Sequence, residues 1–159
     1  DTESGMLFFT SKTDSNLVAR KMDFSDNVIP STNSVMAKNY WKLGTYLDNE
    51  DMKLTAIQML ANVYPQMASY GSAYSNWSIL ALYMVEPFYE VAITGKKWPE
   101  RVQSLNQHYL PNKILMGGTE GKLPLLEGKF LSNTTIFVCV KKSCKLPVDN
   151  VDDALSQMK

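Results

Sequence analysis

Apolar residues between positions 31 and 86 recur at helical spacing. Met36, Tyr40, Leu43 and Leu47 follow one another at intervals of four, three and four, which is one face of an amphipathic helix. Val28-Ile29-Pro30 stops any helix before it, because proline disfavours helical geometry in the preceding residue, and Ser31, Thr32 and Asn33 are good N-cap types. Asp48-Asn49-Glu50-Asp51 reads as a turn and a new helix start favoured by negative charge. The second helix places Met52, Ala56, Met59, Leu60 and Val63 on one face, and Pro65 is expected to kink it or begin another turn. After a break at Tyr70-Gly71-Ser72, a third helix carries Trp77, Leu80, Ala81 and Met84 and ends before Pro87. Short connections make consecutive helices antiparallel neighbours, so this region predicts helical hairpins. The opening 1–30 reads as irregular, with Met6-Leu7-Phe8-Phe9 as a short strand or buried arm.

The pattern changes near residue 87. Phe88 to Thr94 is aromatic and β-branched and stops at Gly95, which predicts a strand. Trp98-Pro99 opens a helix with Trp98, Val102, Leu105 and Tyr109 on one stripe, closed by Pro111-Asn112. Lys113 to Met116 predicts a second strand, ended by Gly117-Gly118; strand, helix, strand at this length is a parallel, right-handed βαβ unit. Thr134 to Val140 is apolar enough to be a strand buried on both faces, and Asp149 is expected to cap a last helix through Ala154, Leu155 and Met158. The predicted class is α+β: helical hairpins over 1–86, then a small α/β subdomain over 87–159 with a sheet of about three strands.

Composition narrows the function classes. Of 159 residues, 45% are hydrophobic, too many for a disordered tail. Sixteen basic residues balance sixteen acidic ones, so chain-wide attraction to nucleic acid or anionic lipid is not expected. No apolar run reaches the roughly 20 residues of a membrane span. Asp1 to Gly5 is polar and acidic, with no signal-peptide pattern, which favours a cytoplasmic location. The missing initial Met points to a processed or truncated chain.

Three motifs occur in a recognisable order. Asp26-Asn27-Val28-Ile29-Pro30-Ser31-Thr32-Asn33-Ser34 resembles a D-G-x-x-P-S-x-N-S segment, with Asn27 where the pattern has Gly. Tyr109-Leu110-Pro111-Asn112-Lys113-Ile114-Leu115 is similar to Y-x-P-N-K-V-L. Phe137-Val138-Cys139 through Cys144-Lys145-Leu146-Pro147-Val148 is similar to Y-V-C…C-x-x-P-[VI]. Together they resemble the C-terminal end of the spermatogenesis-associated thioredoxin-domain proteins and their bacterial relatives, over about Gly5 to Met158. Those proteins join a thioredoxin-like domain to an α/α-toroid related to N-acylglucosamine 2-epimerases and six-hairpin glycosidases. The resemblance implies that the helical hairpins are the closing part of a toroid. It implies as partners the upstream toroid and the thioredoxin-like domain, a carbohydrate-like ligand bound with that missing region, and self-association of a fragment that bares apolar surface. The other reading is a non-catalytic module that braces the toroid or docks the thioredoxin-like domain.

Candidate chemistry is sparse. Ser31, Asn33 and Ser34 lie at a helix N-terminus, where free N–H groups bind anions or sugar hydroxyls; N-capping is the plainer role. The resembled toroids line their cavity with loops at one end, which puts these residues and Trp41 forward as ligand-binding candidates. Trp77 and Trp98 fall on apolar stripes and read as core. His108, the only histidine, reads as a surface or helix-end residue, and no catalytic residue, cofactor or metal set is identified. Cys139 and Cys144 stand open between two structural thiols, a disulfide clipping the end of the third strand, and a redox pair. Gly95-Lys96-Lys97, between a strand and a helix, is an unspecific anion-site signal.

Overall fold

The expected N-cap residues do start the first helix. Ser31 stands immediately before α1 (Thr32–Tyr46), and its Oγ accepts the Ser34 N–H at 3.1 Å. Asn49 caps α2 (Glu50–Met67) by accepting the Met52 N–H at 3.0 Å, and Glu50 and Asp51 in the first turn complement the helix dipole. Between these helices, Gly44 lies where a Cβ would come within 2.8 Å of Lys53 Cγ and 2.9 Å of the Asn49 carbonyl. A side chain there would force the turn apart. α2 continues through Pro65 to Met67. A 3-10 turn (Gly71–Tyr74) then leads into α3 (Ser75–Val85).

The computed structural model describes residues 1–13 and 19–158; the part of the expected irregular opening that falls on 14–18 lies outside them. The chain divides into two units: Asp1–Thr45 with Asn49–Val85, and Tyr46–Asp48 with Glu86–Lys159.

In the first unit, α2 buries Ala56, Met59, Leu60 and Val63 as its periodicity predicts, and α3 buries Trp77, Leu80 and Tyr83. The two helices pack together, and Lys42 of α1 lies 5.6 Å above the Tyr83 ring. α1 corrects the sequence expectation. Its deeply buried residues are Asn33, Ser34, Ala37, Gly44 and Thr45, while Leu43 of the predicted apolar face is exposed, as is Leu47 just beyond the helix. The small and polar face is drawn inward by hydrogen bonds to distant segments, which local periodicity cannot register. One of those segments is the N-terminal arm: Met6 is buried and Phe8 bridges Met22.

In the second unit, β1 (Tyr89–Thr94) is the hub of a four-stranded sheet ordered β2-β1-β3-β4. It runs parallel to β2 (Lys113–Gly118) and antiparallel to β3 (Thr135–Val140), and α4 (Trp98–Leu105) makes the βαβ crossover. The strand count is four rather than about three, because Ser143–Cys144 folds back on β3 as a two-residue β4. Neither residue is buried, so no hydrophobic signal marks it. Tyr89, Val91 and Ile93 join Ile136 and Val138 on one face, covered by α4 and by α5 (Val151–Ser156). On the other face Thr94 donates to the Lys129 carbonyl at 2.6 Å, bringing the 3-10 turn Pro124–Leu126 over β1. The outer edge of β2 is closed by Tyr46, whose hydroxyl accepts the Leu115 N–H at 3.3 Å and donates to its carbonyl at 3.2 Å.

Two further expectations shift. α4 ends at Leu105 instead of running to Tyr109, which is 90% exposed. Its last turn tightens, with Gln107 N–H on Ser104 O and His108 N–H on Leu105 O, and the polar Asn106-Gln107-His108 offers nothing to bury. The N-cap of α5 is Asn150 rather than Asp149; its Oδ1 accepts the Asp153 N–H at 2.9 Å.

Candidate functional site

Asp26 is the centre of the polar structure in the first unit. Its Oδ1 accepts the Ser31 N–H at 2.9 Å and the Ser34 hydroxyl at 2.8 Å, and its Oδ2 accepts the Asn76 N–H at 2.8 Å. One buried carboxylate therefore caps the N-termini of both α1 and α3, where helix dipoles favour negative charge. Its own N–H donates to Ala73 O at 2.7 Å, and Trp77 Nε1 reaches the Phe24 carbonyl at 2.7 Å. These bonds fasten the segment leading into α1 to the start of α3. Lys38, one turn along α1, donates from Nζ to Asn76 Oδ1. Burial pushes the Lys38 amine below its ordinary range; the Asp26 carboxylate opposes that shift and Lys42 adds to it.

The sequence candidates Ser31, Asn33 and Ser34 come together here, each with internal work. Ser31 caps α1 through Oγ. The Ser34 hydroxyl is shared between Asp26 and the Ser31 carbonyl. Asn33 is fully buried; its Oδ1 accepts Leu7 N–H at 2.7 Å, and its Nδ2 donates to Leu7 O at 2.9 Å and Asp23 O at 2.8 Å. That amide clips the N-terminal arm to α1. Trp41 is half-buried on α1. Asp26 and Asn76 are the residues that sequence reasoning did not bring to the site. The spacing of Asp26 before Ser31 and Ser34 was the available signal, whereas Asn76 lies fifty positions away. An open groove of about 840 Å³ runs past this node, walled by Asp23, Asn27, Ile29, Gln66, Tyr70 and Tyr74.

In the second unit, Lys96, Lys97 and Arg101 at the end of β1 and the start of α4 face a groove of about 780 Å³ that Asp149 and Asp153 also line. Opposite charges share it, which weakens it as an anion site. His108 is exposed. Cys139 and Cys144 are joined as a disulfide across β3 and β4. Among the described residues, no cluster of three or more His, Cys, Asp or Glu is arranged to hold a metal ion, and no helix is long and apolar enough to cross a membrane.

No family model, curated protein or solved structure matches the chain.

Proposed function

We infer that this chain is a packing and interaction module: its helical unit completes a larger array of antiparallel helices, and its α/β unit braces that array. One observation carries the reading. The outward faces of α2 and α3 are apolar at helical spacing. On α2 the exposed stripe is Leu54, Ile57, Ala61 and Tyr64, with Leu54 55% and Tyr64 65% accessible. On α3 it is Ile79, Leu82 and Val85, with Val85 76% accessible. Scattered apolar residues on a surface need no explanation, but two stripes, one at intervals of three, four and three on α2 and one at intervals of three on α3, do. Surface helices ordinarily carry charge on that side.

The occupant those stripes fit is another amphipathic helix pair presenting its own apolar stripe, because no charged residue interrupts either one. The motif resemblance supplies a candidate: the preceding helices of an α/α-toroid in a thioredoxin-domain protein. A carbohydrate-binding role through Ser31, Asn33 and Ser34 has less behind it. All three spend their polar atoms on capping α1 and holding the arm, so a sugar would have to compete with bonds that maintain the fold. The test is association of this chain with the helical region that precedes it in its parent protein. Wild-type chain is expected to form a complex, and the double substitution Leu54→Glu and Ile57→Glu to abolish it while the unit stays folded; no complex with wild type would overturn the reading.

A further inference from the structure

The β3–β4 hairpin is an unusual place for a staple. Its turn residues, Lys141 and Lys142, both take left-handed backbone conformations, at φ 49° and 66°. Two-residue hairpin turns of this kind favour Asn and Gly, and a lysine in each position costs energy that the surroundings must offset. β4 contributes only Ser143 and Cys144, both exposed. What holds the hairpin is the Cys139–Cys144 disulfide, the Lys142 N–H on Glu90 Oε2 at 3.0 Å, the Lys145 N–H on Val138 O at 2.9 Å, and the Lys142–Asp48 ion pair. The two cysteines are unequally exposed. Cys139 is 1% exposed in the middle of the sheet, whereas Cys144 is open to solvent. Cys144 also lies in the basic run Lys141-Lys142-Ser143-Cys144-Lys145, where Lys142 pairs with Asp48 and Lys145 donates to the Gln157 carbonyl while both keep their positive charge.

We propose that this disulfide is a site of thiol–disulfide exchange, attacked at Cys144 by small anionic thiols. A thiolate attacks Cys144 Sγ, the Cys139–Cys144 bond breaks, and Cys139 leaves with the electron pair and takes a proton from water. The product is a mixed disulfide on Cys144 and a free thiol at Cys139. A second thiolate attacks the small-molecule sulfur of that mixed disulfide, releasing Cys144 as a thiolate and forming the oxidised small-molecule disulfide. The two electrons come from the two thiols. The lysine run favours this attack in two ways: it raises the local concentration of an anionic thiol, and it stabilises the thiolate left on Cys144. Reduction removes the staple from a turn that is locally unfavourable, so the hairpin opens while the α4/α5 side of the sheet, packed separately, stays folded.

The test uses the intact chain without denaturant. It is incubated with glutathione, which is anionic, or with cysteamine, which is cationic, then acid-quenched, alkylated and weighed. The expected results are reduction under native conditions, faster attack by glutathione per unit of thiolate, and loss of that advantage at high salt. Amide exchange at Lys142–Lys145 is expected to rise roughly tenfold or more on reduction, the scale of releasing a short closed loop. In a Cys139→Ser variant, the Cys144 thiolate is expected to attack oxidised glutathione, forming a mixed disulfide on Cys144 and releasing one glutathione thiolate, whereas in Cys144→Ser oxidised glutathione leaves Cys139 unmodified. A disulfide that yields only when the chain unfolds, an adduct on Cys139, or equal rates for the two thiols at low salt would each overturn the proposal, and the first and last are read on wild-type protein alone.

Discussion

Replacing Asp26 by alanine removes the carboxylate that serves two helix N-termini at once. Three accepted bonds disappear, from Ser31 N–H, Ser34 Oγ–H and Asn76 N–H. Ser34 keeps the Ser31 carbonyl, so its loss is small. Ser31 is buried and its N–H has no replacement acceptor, while half-buried Asn76 can recruit water in part. Hydrogen bonds to a charged group contribute about 1.5–3 kcal/mol each, and the two stranded N–H groups set the cost at about 3–5 kcal/mol. That is a large share of the roughly 5–15 kcal/mol by which a domain is stable. Asp26→Asn keeps one acceptor oxygen and turns an amide N–H₂ toward a donor, at a cost of about 1–3 kcal/mol. Urea unfolding followed by the fluorescence of fully buried Trp77 measures both. The double variant Asp26→Ala/Ser34→Ala is expected to lose less than the sum of the single changes, because the two share a bond. An Asp26→Ala variant within about 1 kcal/mol of wild type would refute the account of the node as the fastening of the first unit.

Two further expectations concern the second unit. Gly95 has φ 106°, and a Cβ there would sit 2.7 Å from Thr134 Cα, so Gly95→Ala is expected to lower the unit's stability by about 2 kcal/mol or more, read as a shift in urea midpoint without loss of slope. Burial pushes the Lys113 amine below its ordinary value of 10.5. The unfolded chain therefore binds more protons than the folded one as pH approaches that value from below, and stability rises with pH there; Lys113→Met is expected to flatten this rise, and an unchanged slope counts against it.

Much of the architecture was legible because it depends on local pattern. The buried face of α2 follows its apolar spacing, and β1, α4 and β2 form the parallel crossover that their order and lengths imply. What escaped depends on distant partners. α1 turns its small and polar face inward because Asn33 bonds to Leu7, twenty-six positions away, and Ser34 to Asp26. Of its predicted apolar stripe, Leu43 and Leu47 are left exposed and Met36 and Tyr40 only half-buried as a result. β4 has no buried residue to announce it, and the early end of α4 is a contest between a periodic Tyr109 and three polar residues that tighten the turn. At the candidate site, Ser31 and its neighbours are legible as a cap. That the cap is shared with α3 through Asp26 rests on a bond across fifty residues, which no local motif contains.

The uncovered stripes of α2 and α3 are the heart of this account, and the solution state of the chain tests them most directly. Sedimentation velocity over a concentration series, with binding of an apolar dye measured in parallel, reads whether that surface behaves as an interface. The account predicts concentration-dependent self-association and dye binding for wild type, both lost in Leu54→Glu/Ile57→Glu while unfolding stability is retained. A wild-type chain that stays monomeric at all concentrations and binds no dye would contradict it.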